Sequence, residues 1–305
     1  MKKDLMLNLA RQISNVVVKE IKKSKHLGDY VGSVGVGGDE TKNGDQLVEN
    51  ILKKKLPLFL KKFGIKNCWF VSEETGQMII GEVNSKVEGI FIIIDPIDGS
   101  NNMRPHFTPK PFLGFSIAIG NLKNIFYKMS LDAVEVGLIK DIFHDLEYTA
   151  IRNSGSFLNN LKLNSSQLNN LETAILGTSL DRGGQKLKDI FKRGIYKLLL
   201  ATHCQRRIGS TTLDLCQVAT GDYDIYVSMS GGVKVHDIAA AKLIIEEAGG
   251  IVELYNNKNI NVGKNKILNK LFIAGNEGIN NLTFRIITAG NKKLLKLTKK
   301  ILNLN

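Results

Sequence analysis

Two aspartates three residues apart, Asp95 and Asp98, close an apolar run and carry the plainest chemical signal in the chain. The run, Gly89-Ile90-Phe91-Ile92-Ile93-Ile94, is β-branched and aromatic, which predicts a buried strand. Its continuation is Asp95-Pro96-Ile97-Asp98-Gly99-Ser100-Asn101-Asn102, with a proline that fixes φ and a glycine that permits a tight reversal. Two carboxylates ~4 Å apart repel by about 4 kcal/mol at an effective dielectric of ~20. A cation between them removes that repulsion, and an all-oxygen set suits Mg²⁺, Mn²⁺ or Ca²⁺. The Gly-Ser-Asn-Asn that follows is expected to open a helix whose free N–H groups form an anion pocket beside the metal. D-x-x-D alone reads rather as an Asp-rich turn. The full eight residues after a buried strand favour metal plus phosphate pocket.

Other acids sit at comparable places. The expected strand Cys68-Trp69-Phe70-Val71-Ser72 also ends in acids, Glu73-Glu74, a candidate source of a third ligand. Asp45 falls at the start of a helix expected over 46–63, kinked at Pro57, where N-capping is the plain alternative. Asp237 opens a later helix bearing Ile238, Ala241, Leu243, Ile244 and Ile245, where the macrodipole alone favours an acid.

The elements that must position these acids fall into two halves. Residues 1–165 read as an α+β half: helices at the start and at 46–63 against a largely antiparallel sheet, with strands at 112–119, 134–142 and 147–151 and a hairpin near 157–163. Leu5, Leu9, Ile13, Val16 and Ile21 mark the buried face of the first helix. A glycine-rich stretch, 28–38, is a connector or a lid. Residues 166–275 read as an α/β half: strands at 173–179 and 223–229, helices at 185–200, after Ser210 and after Asp237, and closing strands at 251–254 and 271–274. Residues 276–305 are Lys/Asn-rich with a helical Leu/Ile pattern, expected to form a terminal helix.

Composition bounds the function. The 305 residues are 43% hydrophobic and 23% charged, as in a globular protein, and hold no apolar run near the ~20 residues that span a bilayer. Asp4, Asn8 and Arg11 interrupt any signal-peptide core, and the three cysteines, 68, 204 and 216, lack metal-ligand spacing, so reduced thiols in a cytoplasm are expected. The five histidines are scattered with no i, i+4 pair, which argues against a zinc site. The formal net charge of +13 is dispersed, apart from Lys292-Lys293 to Lys299-Lys300, so steering of anionic substrates explains it more simply than nucleic acid.

In order and spacing, Glu73-Glu74, Asp95-Pro96-Ile97-Asp98-Gly99-Ser100, and Asp237-Ile238-Ala239-Ala240 with Glu247-Ala248-Gly249-Gly250-Ile251 resemble the inositol monophosphatase family. These are Mg²⁺-dependent, lithium-sensitive phosphatases of the fructose-1,6-bisphosphatase superfamily, and the resemblance spans about residues 5–275. Thr41-Lys42-Asn43-Gly44-Asp45, and the Lys234-bearing segment between Asp224 and Asp237, are similar to the archaeal-type dual inositol monophosphatase/fructose-1,6-bisphosphatases. Ser228 stands roughly where animal enzymes carry an inositol-contacting glutamate, a departure from strict inositol specificity.

The resemblance implies a layered αβαβα fold, an N-terminal α+β half and a C-terminal α/β half with the active site between them, and a homodimer. It implies two or three Mg²⁺ per site, with Mn²⁺ as a substitute. Glu73 and Asp95 would hold the first with the Ile97 carbonyl; Asp98 would bridge towards a second, completed by Asp237; Asp45, together with Glu73, would serve a third or orient the water. Asp45, Ser100 and Glu73 form the implied catalytic set. Ser100 replaces the family threonine, keeping the hydroxyl but losing the methyl that restricts χ1. Gly99, Ser100 and Asn101 would bind the scissile phosphate, Gly209 and Ser210 the sugar or polyol, and Arg206 and Lys234 a second phosphate. The implied substrates are fructose-1,6-bisphosphate and/or inositol-1-phosphate. The runner-up, 3′-phosphoadenosine-5′-phosphate or NADP, needs an adenine platform that the sequence does not reveal. A catalytically decayed binding protein would have no reason to keep four like charges, and a glycosidase-like carboxylate pair needs only two.

Overall fold

Apolar residues three and four apart place Met6, Leu9, Ile13, Val17 and Ile21 on the buried stripe of α1 (Lys3–Lys23). The stripe is turned slightly from the expected one, since Leu5 is exposed and Met6 and Val17 are buried. The computed structural model describes residues 1–25, 27–34, 40–103, 110–180, 184–256, 258–263 and 266–304. A two-stranded ribbon, β1 (Tyr30–Val34) and β2 (Glu40–Lys42), leads into α2 (Asn43–Lys62), which runs through Pro57. Residues 35–39 of the glycine-rich stretch lie outside the described residues, and with them the reading of that stretch as a lid.

The first sheet has eight strands: β3 (Cys68–Ser72), β4 (Gly76–Ile80), β5 (Ile90–Asp98), β6 (Gly114–Asn121), β7 (Val136–Asp141), β8 (Leu146–Ile151), β9 (Gly155–Leu158) and β10 (Leu161–Lys162), in the order β10-β9-β8-β7-β6-β5-β3-β4. Every neighbouring pair is antiparallel except β3 and β5, which run parallel with Ser72 beside Ile94. α3 (Leu122–Lys128) follows β6. On one face, Phe70, Ile92, Phe115 and Ile117 pack against Leu9 and Ile13 of α1 and Leu52 and Leu56 of α2.

The chain then supplies β11 (Ile175–Thr178), α4 (Gly184–Lys192), α5 (Ile195–Ala201), β12 (Cys204–Arg206), α6 (Thr211–Thr220), β13 (Ile225–Lys234), α7 (Val235–Glu247), β14 (Ile251–Tyr255), α8 (Ile267–Asn281), β15 (Thr283–Ala289) and α9 (Lys292–Ile301). The strands form a mixed sheet, β12-β11-β13-β15-β14. α6 and α7 lie between the sheets: Leu213, Val218, Leu243 and Ile245 share one core with Trp69, Phe91 and Tyr148 of the first sheet and Tyr226, Leu254 and Ile286 of the second. Gly137 lets α7 approach closely, because a Cβ there would stand 2.9 Å from the Ala240 carbonyl oxygen. Leu198 of α5 and Leu294 and Leu295 of α9 cover the far face, over Ile225, Val227 and Ile287. The layers are αβαβα, as expected.

Three local expectations need correction. The helix expected over 185–200 is two helices that turn at Gly194, whose φ of +88° suits glycine. The apolar stretch 271–274 is helical, part of α8, rather than a closing strand. Residues 276–305 are not one terminal helix: β15 intervenes and pairs on both sides, with β13 and β14, so its β-branched Ile286 and Ile287 lie inside the second sheet. We propose residue 165 as the seam between the two sheet-bearing halves. No helix among the described residues is long and apolar enough to cross a membrane.

Candidate metal centre

Register and a bulge bring the acids together. Ser72 pairs with Ile94, so Glu73 leaves β3 where Asp95 stands on β5. Side chains alternate along a strand, and residues three apart normally face opposite sides. Between Asp95, opposite Ser116, and Asp98, opposite Gly114, β5 carries one residue more than β6. This bulge returns Asp98 to the side of Asp95. Asp237 arrives from the other half in the first turn of α7, its Oδ2 accepting the Lys234 N–H at 2.7 Å. The result is two overlapping groups, Glu73, Asp95 and His236, and Asp95, Asp98 and Asp237, each with donor atoms within 4.8 Å of one another.

The charges are poorly compensated by the protein itself. Asp95 is buried, and its Oδ1 has no hydrogen-bond partner among the described residues. Burial first, then Glu73, Asp98 and Asp237, push its carboxyl well above the usual carboxylate range. Burial also raises Asp98, although its Oδ2 accepts from Ser210 Oγ at 2.6 Å, the Thr212 N–H at 2.6 Å and Thr212 Oγ1 at 2.8 Å. Asp237 is raised by burial, with Asp98 and Glu73 adding to it. Glu73 goes the other way: burial raises it, but His236 and Lys234 beside it hold it low, the Lys234 ammonium at 2.9 Å. An orphaned buried carboxylate oxygen among three further acids fits divalent cations held by Glu73, Asp95, Asp98 and Asp237.

The remaining expected residues divide around this centre. Asp45 caps α2, its Oδ2 3.0 Å from the Lys42 N–H, and burial raises it to about 6; it lies outside both ion-sized groups. The Ile97 side chain is buried in the core beside α2, and its backbone lies within the bulge. Gly99 has a φ of +86°, and a Cβ there would stand 2.9 Å from Ser210 Cβ, so both conformation and space call for glycine. The expected helix start after it is a single 3₁₀ turn, Ser100–Asn102, closed by the Asn102 N–H on the Gly99 carbonyl at 2.8 Å. Its leading N–H groups still lack intrahelical partners; residues 104–109 lie outside the described residues. Asn101 is exposed, and the Ser100 carbonyl accepts from Lys42 Nζ at 2.5 Å.

Gly209, at φ +89°, is held by its N–H to Asp214 Oδ2 at 3.2 Å. The Ser210 hydroxyl is engaged by Asp98 and the cap of α6, a different arrangement from the open polyol contact expected of it. Arg206 is exposed at the end of β12 and donates to the Gln205 carbonyl at 2.9 Å. Lys234 lies inside the metal centre, on Glu73.

Sequence reading missed several contributors. His236 joins the first group although it has no histidine partner in sequence. Thr212 and Asp214 follow Ser210 at spacings that only the turn of α6 makes meaningful. Glu49, one helical turn after Asp45, is buried and accepts from the Ser72 and Thr75 hydroxyls that flank Glu73-Glu74; burial raises it to about 7. Asn102 Nδ2 donates to the carbonyls of Phe112 at 2.9 Å and Ile208 at 3.2 Å, tying the 3₁₀ turn to the loop before α6. A Cβ on Gly114 would stand 2.3 Å from Thr212 Oγ1, the group that holds Asp98. Gly114→Ala is therefore expected to weaken Mg²⁺ binding about tenfold by titration calorimetry and to cost about 1–3 kcal/mol of stability. Unchanged affinity would show that Thr212 does not position Asp98.

Comparison with known proteins points the same way. The sequence profile of the inositol monophosphatase family matches residues 3–292. The fructose-1,6-bisphosphatase/inositol-1-monophosphatase of Methanothermobacter thermautotrophicus is 28% identical over 250 residues, 82% of this chain and 83% of its own. The bifunctional NADP phosphatase/NAD kinase of Methanococcus maripaludis is 29% identical over 271 residues, 85% of this chain and 44% of its own. The crystal structure of an inositol monophosphatase-fructose 1,6-bisphosphatase superposes with a TM-score of 0.69 at 23% identity, covering 99% of this chain and all of that one (100%).

Proposed function

The chain belongs to the inositol monophosphatase family, and from that premise we propose that it hydrolyses phosphate monoesters of sugars or polyols, fructose-1,6-bisphosphate and/or inositol-1-phosphate. The coarser reading, a metal-dependent phosphatase of this family, rests on the family match and the acidic centre. The observation that carries the proposal is the convergence of Asp237 from the second half on Asp95 and Asp98 of the first, beside the Ser100–Asn102 turn.

Phosphate monoesters hydrolyse extremely slowly unaided, so the site must offset developing negative charge and supply a nucleophile. Divalent cations, Mg²⁺ with Mn²⁺ as a substitute, supply both when bound, by polarising phosphate oxygens and lowering the pKa of water. The chain's own residues do the rest. Glu73, Asp95, the Ile97 carbonyl, Asp98 and Asp237 hold the cations, and Gly99, Ser100 and Asn101 present N–H groups to the scissile phosphate. Asp45 and the Ser100 hydroxyl take a proton from the attacking water, with Glu73 helping to orient it. Lys42 links that pair: its N–H lies 3.0 Å from Asp45 Oδ2 and its ammonium 2.5 Å from the Ser100 carbonyl. Gly209 and Ser210 border the polyol, and Arg206 and Lys234 serve a second phosphate. A cation held by Glu73 would compete with the Lys234 ammonium for that carboxylate, which would leave the ammonium for a phosphate oxygen.

Phosphate release with Mg²⁺ from inositol-1-phosphate, fructose-1,6-bisphosphate, 3′-phosphoadenosine-5′-phosphate and NADP tests the reading. One or both of the first two should dominate. Preference for NADP would favour the second reading, which the relative from Methanococcus maripaludis keeps open at similar identity. A flat response across the four would defeat the catalytic assignment. Lys234→Ala should slow bisphosphate turnover about tenfold more than monophosphate turnover, the worth of one charge-assisted contact; equal effects would remove its role. A homodimer in the cytoplasm completes the proposal, and sedimentation as a single 33.8 kDa chain would end the dimer.

A further inference from the structure

His236 stands 2% exposed with its Nε2 aimed into the acidic centre, 3.5 Å from Glu73 Oε1 and 3.5 Å from Asp237 Oδ1. That nitrogen has no hydrogen-bond partner among the described residues. Its contacts with the two carboxylates are of ion-pair length, longer than the ~2.9 Å on which hydrogen bonds between nitrogen and oxygen centre. By contrast, two donors sharing one ion with bonds of about 2.1 Å lie about 3.0 Å apart when adjacent and about 4.2 Å apart when opposite. The observed separations fall within that interval. Nε2 and the carboxylate oxygens of Glu73 and Asp95 lie within 4.8 Å of one another, so an inward turn of these side chains brings all three onto one cation.

We propose that His236 is a nitrogen ligand of the cation held by Glu73 and Asp95, which makes this a mixed nitrogen–oxygen site preferring later first-row ions such as Co²⁺ and Zn²⁺ to Mg²⁺. The inference rests on the metal-dependent reading above and deepens it. The chemistry follows from the donor set: imidazole suits Co²⁺ and Zn²⁺ far better than Mg²⁺, which favours oxygen in a near-ideal octahedron. The neighbouring group of Asp95, Asp98 and Asp237 has oxygen donors alone, so the two positions differ in kind. The hydrogen-bonded anchors of Asp98, from Ser210 and Thr212, belong to that second position. Backbone geometry supports the aim of the imidazole: His236 and Asp237 are consecutive in the first turn of α7, so one helix start presents the nitrogen to the first position and the carboxylate to the second.

The test is binding, read without turnover. Titration calorimetry on the intact chain should give Co²⁺ affinity at least about tenfold above that for Mg²⁺, and His236→Gln should lower Co²⁺ affinity about 10- to 100-fold while changing Mg²⁺ affinity less than about threefold. On the unaltered protein, adding Zn²⁺ to ¹⁵N-histidine-labelled chain should shift the one Nε2 resonance that is absent from the His236→Gln spectrum. An unchanged Co²⁺ to Mg²⁺ ratio in the variant, or an unmoved resonance, overturns the ligand assignment, and Mg²⁺-dependent phosphate release by the unaltered chain would then leave the phosphatase reading standing. Absence of any divalent binding by the unaltered chain overturns both.

Discussion

Asp95→Asn is expected to cut Mg²⁺-dependent phosphate release by at least about a thousandfold, roughly 4 kcal/mol of transition-state stabilisation, while leaving the metal-free chain as stable as before or more so. Asp95 is the one acid shared by both ion-sized groups, so neutralising it weakens both positions at once. The amide is nearly isosteric, and Asp95 Oδ1 makes no hydrogen bond that the change would break. Its charge stands among those of Glu73, Asp98 and Asp237, all of which oppose its ionisation. Removing it relieves repulsion in a metal-free chain and removes a ligand from a metal-loaded one. A purely structural aspartate would lose stability and activity together, so thermal melts without metal alongside phosphate release separate the two. Turnover within tenfold of the unaltered chain would take Asp95 out of the site.

The second large effect is on stability against pH. Burial raises Asp45 to about 6 and Glu49 and Glu74 to about 7, against ordinary values of 3.8, 4.5 and 4.5. A group whose folded pKa is raised contributes stability that is full below its unfolded pKa and lost as pH rises through its folded pKa. Without divalent cations the chain should therefore be more stable near pH 5 than near pH 8, with the loss falling between about 4 and 7. For Glu49 alone the difference is on the order of 3 kcal/mol, so a drop in Tm of about 5–10 °C is expected. Mg²⁺ at pH 8 should restore much of it, because the bound cation favours the ionised centre. Glu73, held low, acts oppositely and only at strongly acid pH. A metal-free Tm that rises from pH 5 to pH 8 would contradict this account of the buried acids.

How far the sequence speaks for this site depends on how locally each residue acts. A strand ending in Asp95-Pro96-Ile97-Asp98-Gly99 announces itself, because burial, φ restriction and reversal are all properties of neighbouring residues. Glu73 and Asp237 are likewise legible as acids at the exits of buried elements. The helix and strand patterns give an α+β half followed by an α/β half, and the order of the five layers rests on the family resemblance. The stretch Leu271-Phe272-Ile273-Ala274 was not legible: a short apolar run fits a strand or one side of a helix, and its contacts with Trp69 and Phe126 decide the matter from far away in sequence. β15 was hidden in Lys- and Asn-rich surroundings, although its β-branched core argued against helix. His236 was set aside because histidines were compared only with one another, whereas its neighbours are carboxylates contributed by other strands. Ser210, expected to border the polyol, anchors Asp98, and so does Thr212, which no sequence motif singles out.

The middle layer belongs to neither sheet alone. α6 and α7 cover Phe91 and Tyr148 on one side and Tyr226 and Ile286 on the other, and Phe272 of α8 joins them over Trp69, all in one continuous core among the described residues. A fragment cut at the seam near residue 165 would carry a bare aromatic sheet face into water, and its complement would lack the floor on which α7 rests. The two halves are thus inseparable as folding units, and melting should be all-or-none even though the candidate metal centre draws its acids from both.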